Sequence, residues 1–128
     1  MKKILVLFII VSFISCSHDD TSSTSELIGA WNWTTSIGGI DGRTETPESI
    51  GKTISIEFTD TMFRKFVDGV LEIETSYTIE TGPSIRSTEH IEVIVYTNGM
   101  KQSFTITSSE LSLFDECYDC FVSTYTRD

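Results

Sequence analysis

The amino-acid sequence predicts an all-β protein: an antiparallel eight-stranded up-and-down barrel, with a two-sheet β-sandwich as the alternative. Three observations support this prediction. Many runs alternate apolar and polar residues, tight turn dipeptides separate some of those runs, and no segment has the pattern of a long helix. The chain has 128 residues, close to the usual size of one domain. Closing the sheet into a barrel removes the exposed edges that a small sheet otherwise leaves.

Eight segments have the composition and alternation of strands. In TISIEF, Ile54, Ile56 and Phe58 share one face, while Ser55 and Glu57 share the other. β-branched and aromatic residues dominate the other runs as well. IEVIVY is apolar on both faces, which predicts either a covered strand or a partner site. The predicted strands cover residues 28–36, 51–58, 62–67, 70–79, 88–96, 100–107, 110–114 and 121–127.

The connections predict a meander in which sequence neighbours pair. Asp68-Gly69 and Asn98-Gly99 each separate two alternating runs by two residues, and both pairs suit a type I′ turn. SIGGIDGRTETPES predicts a longer loop, and Gly82-Pro83-Ser84 predicts a break in the chain. A transmembrane barrel is excluded, because its strands need lipid-facing runs of about 9–11 residues without glutamates.

The N-terminus has the pattern of a secretory leader. Lys2 and Lys3 precede an apolar run of eleven residues, Ile4 to Ile14, interrupted only by Ser12. A membrane-spanning helix needs roughly 20 such residues, so this run is too short to span. The pattern therefore predicts a signal peptide over residues 1–15.

Ile14-Ser15-Cys16 resembles the lipobox of bacterial lipoproteins, with Phe13 in place of the usual leucine. The resemblance implies that Cys16 is lipidated and anchors the chain in the outer membrane. The alternative is a secreted protein in which Cys16 is discarded or free. Residues 16–26 are predicted to be an acidic tether, since residues 17–25 contain no apolar side chain. Asp19-Asp20 resembles the acidic export signals of surface lipoproteins, which implies exposure at the cell surface.

The acidic composition excludes two classes of partner. Removal of residues 1–15 takes away two lysines and no acid, which leaves seven basic and nineteen acidic side chains and a net charge of −12. Such a charge repels phosphate backbones, so nucleic-acid binding is not expected. No basic cluster is present that could dock on anionic lipid.

The first and last strands carry a family resemblance. Gly29-Ala30-Trp31 resembles the G-x-W motif that opens lipocalin and calycin barrels, and Arg127 lies on the last strand. The resemblance is to small bacterial lipocalin-like lipoproteins and spans residues 27–128. It implies a barrel domain in which Gly29, Trp31 and Arg127 close one end, with the guanidinium packed across the indole. It also implies a small hydrophobic or amphipathic ligand inside the barrel.

A short eight-stranded barrel is either filled by its own side chains or holds one small ligand, and the sequence leaves both possibilities open. In MFRKFV, Arg64 shares a face with Met62 and Phe66, while Lys65 falls on the other face, so a cation goes inward in either register. That cation either extends to the barrel end or binds an anionic head group. The candidate lining residues are Trp33, Ile54, Ile56, Phe58, Arg64, Phe66, Leu71, Ile73, Tyr77, Phe104 and Tyr125.

Cys117 and Cys120 flank a reversal, DECYDC, between the last two predicted strands. In an oxidising compartment such a pair predicts a disulfide. A thiol redox centre is less compatible, because Asp115, Glu116 and Asp119 would raise the thiol pKa. Zinc binding would need further ligands, and the sequence has no second C-x-x-C.

The sequence contains no motif of a known catalytic class. After processing, its histidines are His18, in the tether, and His90. We therefore expect a non-enzymatic protein without a cofactor or metal, anchored to the membrane and binding a small molecule. The alternative is a filled barrel that acts through its surface as an interaction, inhibitor or accessory module.

Overall fold

The computed structural model describes residues 23–127. The predicted signal peptide, Cys16 and most of the predicted tether lie outside this range, as does residue 128. Helix α1 (Ser23–Leu27) covers the end of the segment predicted as a tether, and its Leu27 is fully buried. A second short helix, α2 (Pro47–Ile50), follows the first two strands. Neither helix is long and apolar enough to cross a bilayer.

The chain forms a closed antiparallel barrel of eight strands with one additional short strand, which confirms the predicted fold class. The strands are β1 (Gly29–Gly38), β2 (Arg43–Glu45), β3 (Ile54–Phe58), β4 (Met62–Val67), β5 (Val70–Ser84), β6 (Ser87–Tyr96), β7 (Lys101–Thr107), β8 (Glu110–Asp115) and β9 (Phe121–Thr126). Strands β3 to β9 pair in sequence order. β1 closes the barrel by pairing with both β3 and β9, and β2 pairs only with the end of β1.

The tight turns have the glycine chemistry that their geometry requires. At the β4–β5 turn both Asp68 and Gly69 have positive φ, 51° and 79°, as a type I′ turn demands. The β6–β7 turn differs from the prediction, because only Gly99 of the Asn98-Gly99 pair has positive φ (95°). Here the N–H of Gly99 donates to Tyr96 O, which makes a longer reversal than the predicted two-residue turn.

Three local features differ from the sequence prediction. The predicted loop 36–49 contains β2 and α2, and Thr46 caps α2 through a reciprocal pair of hydrogen bonds with Ser49. Gly82-Pro83-Ser84 does not break the chain, because β5 continues through it with a shift of register against β6. Such an irregularity tolerates a proline that a regular ladder would exclude.

One end of the barrel, which we call the closed end, is sealed by α1, Trp31 and Arg127. The Arg127 guanidinium carbon lies 4.0 Å from the Trp31 ring centroid, and the side chain also donates to the carbonyl of Glu26. The indole N–H of Trp31 donates to Leu27 O at 2.9 Å. Gly29 opens β1 at φ 135°, a backbone conformation that favours glycine. The predicted packing of Arg127 across Trp31 is therefore present.

The tip of the β5–β6 hairpin (residues 84–87, the hairpin tip) lies against the outer wall of the barrel. Ser84 Oγ donates to Glu116 at 2.6 Å, and the Ile85 N–H donates to the same carboxylate at 3.0 Å. The Arg86 guanidinium lies 3.3 Å from the Phe114 ring centroid and donates to Ser103 Oγ at 2.9 Å. These contacts cover the outer wall, where Ser103 is fully buried.

Candidate functional site

The barrel interior has a filled half and an open half. Towards the closed end, buried aromatic and aliphatic side chains pack against one another, with Phe58 5.0 Å from Phe63 and 5.3 Å from Tyr77 between ring centroids. Towards the other end lies a cavity of about 280 Å³, which we call the cup. Its walls comprise Trp33, Ser36, Glu45, Ile50, Ile54, Phe63, Lys65, Ile73, Thr75, Tyr96, Asn98, Met100, Gln102, Leu113, Asp115, Phe121, Ser123 and Tyr125.

Four of the predicted lining residues form part of the cup: Trp33, Ile54, Ile73 and Tyr125. Others that point inward lie outside the cup. Ile56, Phe58 and Tyr77 are buried in the packed half, where the Tyr77 hydroxyl donates to the carbonyl of Thr59. Phe104 packs against the core from β7 and lines a separate groove.

Three predicted lining residues lie on the outside of the barrel instead, and their assignment is corrected. Arg64 donates to Glu57 at 2.9 Å and to Glu74 at 2.7 Å, both carboxylates on neighbouring strands of the outer face. Phe66 and Leu71 pair with each other across β4 and β5. Leu71 is 47% exposed. β4 alternates regularly against β3, and it is the face with Phe63 and Lys65 that points inward, so Arg64 and Phe66 point outward. In β5 the extra residue Glu72 forms a bulge between Leu71 and Ile73, which turns Leu71 away from the face of Ile73.

Lys65 is the cation that MFRKFV places in the interior wall. It pairs with Ile56 on β3 and Ile73 on β5, both inward-facing positions, and it lines the cup. Its ammonium group lies 3.5 Å from a carboxylate oxygen of Glu72. At that distance the ion pair is loose, which leaves donor capacity for another acceptor.

A hydrogen-bond network holds the polar side of the cup in place. The Trp33 indole N–H donates to Ser36 Oγ at 2.8 Å, and Ser36 Oγ lies 2.7 Å from Ser123 Oγ. Across the cavity, the Tyr96 hydroxyl donates to Gln102 Oε1 at 2.6 Å. Gln102 Nε2 in turn donates to Asp115 at 2.7 Å. Side chains fixed in this way are preorganised to contact a ligand without further ordering cost.

Several of these polar residues could not be assigned to the cup from sequence. A bulge between Trp33 and Thr35 turns Ser36 inward and leaves Ile37 half exposed, the reverse of simple alternation. Ser123 did carry a signal, since it shares a strand face with Tyr125. Tyr96 carried one too, two positions after the fully buried Ile94.

The buried phenols of the cup stay neutral at physiological pH. Burial raises the pKa of Tyr125 to about 12, although a hydrogen bond with Ser123 acts in the opposite direction. Burial also raises the pKa of Tyr96, and the nearby charge of Asp115 adds to the effect. Both hydroxyls can therefore donate hydrogen bonds, while the charged side chains of the wall are Lys65, Glu45 and Asp115.

The cup opens at the end of the barrel opposite Arg127, which we call the mouth. It is framed by residues 39–42, helix α2, and the turns at 68–69, 97–100 and 116–120. Nine large apolar side chains are exposed between residues 23 and 127, and seven of them surround this mouth. They are Ile37, Ile40, Ile50, Val70, Leu71, Met100 and Tyr118. The largest exposed fractions are those of Ile40 (95%) and Tyr118 (82%).

At the mouth, Cys117 and Cys120 are joined in the predicted disulfide, with their Cα atoms 5.6 Å apart. The bridged loop packs tightly on the end of β1, where a side chain at Gly38 would overlap the carbonyl of Cys120. Among residues 23–127 no three histidine, cysteine or acidic side chains group as metal ligands. The zinc-binding alternative thus has no supporting ligand group in the described part of the chain.

Comparison with protein-family models, with curated proteins and with solved structures finds no match. The cup is concave, partly apolar, and lined by a few polar groups held by hydrogen bonds, features that small-molecule sites commonly have.

Proposed function

We propose that this protein is a non-enzymatic binding module, held at the bacterial outer membrane by a lipid on Cys16, that takes one small amphipathic molecule into the cup. The open cavity of about 280 Å³ carries this proposal. Ligand pockets commonly measure about 300–1,000 Å³, so the cup suits a ligand near the small end of that range.

The wall chemistry supports a ligand with a flat or short apolar body and one anionic group. Trp33, Phe63 and Phe121 supply aromatic surface, which contributes a large apolar contact area for few ordered torsions. Lys65 supplies the cation for a carboxylate, sulfonate or phosphate. The amide and hydroxyl groups of Gln102 and Ser123 supply orienting hydrogen bonds.

A dye titration tests the cup, because Trp33 lines it and acts as an internal reporter. We expect 1-anilinonaphthalene-8-sulfonate, an aromatic anion, to bind with energy transfer from Trp33. Lys65→Met should weaken binding about tenfold, since it removes a partly buried charge. Lys52→Met, which changes an exposed lysine outside the cup, should leave binding unchanged. Equal affinities of these two variants would contradict the assignment of Lys65.

Native mass spectrometry of the Cys16→Ser protein, purified from the soluble periplasmic fraction, supplies a test that needs no chosen ligand. An added mass that disappears on denaturation, and that is absent from a variant with the cup filled by Ser36→Phe, would identify the natural ligand class. An added mass of equal abundance in both proteins would place the bound molecule elsewhere.

The anchor has its own experiment. Cys16→Ser should lack the lipid mass and move to the soluble fraction of the cell envelope, because stable anchoring depends on acyl chains at that thiol. Cys117→Ser, which changes another cysteine, should stay with the membrane. Retention of Cys16→Ser in the membrane would contradict lipidation at this position.

A second candidate function is supported by the apolar mouth. Seven exposed apolar side chains cluster around one end of the barrel, and clusters of this kind often mark protein contacts. In this alternative the protein is an interaction, inhibitor or accessory module at the cell surface. The double variant Ile40→Asp with Tyr118→Asp would then abolish binding of the partner protein while leaving dye binding in the cup intact.

A further inference from the structure

The barrel wall divides between β6 and β7. These strands pair at only three positions, Val93 to Val95 with Ser103 to Lys101. Beyond them, in the part of the chain that the structure describes, no strand pairs with the facing edges of β6 (87–92) and β7 (104–107). The two free edges enclose a groove of about 680 Å³, which we call the fork.

The fork has a structural cause. The tip of the β5–β6 hairpin is bound to Glu116 after β8, to Phe114 of β8 and to Ser103 of β7. The register shift in β5 at Gly82 and Ser84 lets the hairpin bend. These contacts fix the hairpin tip over the outer wall, and residues 87–92 of β6 leave the ladder with β7, so the gap is part of the fold.

We propose that the fork is a second binding site, distinct from the cup, that takes an extended peptide segment of another protein as an added strand. Alternate residues of each free edge present backbone N–H and C=O groups that a strand between them would pair with. Because β6 and β7 are antiparallel, such a segment is parallel to one edge and antiparallel to the other. The edges are six and four residues long, which sets the length of the bound segment.

The side chains of the fork specify the chemistry of that peptide. Ile91, Phe104 and Ile106 are partly buried and supply apolar contacts for alternate peptide side chains. Glu26 and Glu92 add two negative charges, whereas Arg86 is engaged on the outer wall. The peptide therefore has apolar residues at alternate positions and carries at least one lysine or arginine. A second copy of this acidic chain is disfavoured by its charge.

Selection from a random heptapeptide library displayed on phage, with the purified protein as bait, tests the proposal. We expect enriched peptides with alternating apolar positions and a basic residue, and micromolar affinity for the synthetic peptides. Methylation of one edge-facing backbone N–H should weaken binding about tenfold, because it removes a strand hydrogen bond. Methylation of a backbone N–H at the end of the peptide, outside the enriched positions, is the control and should leave affinity unchanged.

Charge reversal on β6 supplies a matched pair of variants. Glu92→Lys, whose side chain lines the fork, should weaken the selected basic peptide about fivefold, whereas Glu89→Lys, whose exposed side chain on the same edge does not line it, should not. A peptide with its basic residue changed to glutamate should regain affinity for Glu92→Lys, which also shows that the variant is folded. The absence of any enriched peptide, or equal binding by both variants, would overturn the proposal.

Discussion

Arg127 connects three parts of the closed end through one side chain, because it stacks on Trp31 and donates to the carbonyl of Glu26 in α1. Its Nε is buried and has no hydrogen-bond partner within residues 23–127, which offsets part of the gain. We expect Arg127→Ala to lower the free energy of unfolding in urea by about 1–2 kcal/mol. Arg43→Ala, which removes a more distant and exposed contact with Phe121, should cost much less. Equal losses would argue against the closure role.

Gly38 is the residue on which the mouth depends most directly. Its φ of 148° favours glycine, and an added Cβ would overlap the backbone of the disulfide loop at Cys120. Gly38→Ala should therefore destabilise the oxidised protein by about 2–4 kcal/mol, as measured by urea unfolding. Gly42→Ala also places alanine at positive φ (65°), but it meets no atom within 4 Å and should cost about 1 kcal/mol. If the two variants were equally stable, the close packing at Gly38 would be unimportant.

At the scale of elements, the hairpin tip gives the fold a dependence on pH. Burial disfavours the charged form of Glu116, but hydrogen bonds from Ser84, Ile85 and Ser103, together with the charge of Arg86, outweigh it and lower the pKa of Glu116. A lowered pKa contributes stability above the unfolded value, about 4.3, and this contribution is lost as pH falls through the folded value.

We therefore expect the wild-type free energy of unfolding to fall more steeply than that of Glu116→Gln between about pH 5 and pH 3. Chemical denaturation at each pH gives the two curves. Glu89→Gln, an exposed change on β6, is the control and should follow the wild type. Parallel curves for wild type and Glu116→Gln would show that the carboxylate does not hold the hairpin tip.

The strands were predictable from sequence because alternation and composition agree along most of them. Residues 62–67 and the turn at Asp68-Gly69 were assigned as they are found. The short β2 and α2 were missed, since three- and four-residue elements depend on pairing and capping within the folded chain. β5 extends beyond its predicted end because a register shift accommodates Pro83.

The lining of the cup was only partly predictable, because local irregularities in the strands decide which side chains point inward. Alternation identified Trp33, Ile54, Ile73 and Tyr125 as lining residues. It failed across the bulges in β1 and β5, because one extra residue exchanges the two faces of a strand. Arg64 was assigned inward for a different reason: both faces of β4 carry apolar residues and one cation, so alternation does not show which face is inward, and its two carboxylate partners hold Arg64 outside.

At the scale of the whole molecule, acidity opposes the compact state. The formal net charge is −10 at pH 7, so like charges repel throughout the folded chain. Raising sodium chloride from about 20 to 300 mM should raise the Tm by a few degrees through screening. At pH 4.5, near the sequence pI, the same salt change should have little effect. A fall in Tm with salt at pH 7 would mean that attractive ion pairs dominate instead.

The chain enters and leaves the barrel at the same end, since α1 and Arg127 both lie at the closed end. A lipid on Cys16 would therefore tie that base to the bilayer through residues 17–22, which span at most about 20 Å when extended. The barrel would then stand on its base with the mouth directed outward. A ligand of the cup would then enter from the surrounding medium rather than from the membrane leaflet beneath the barrel.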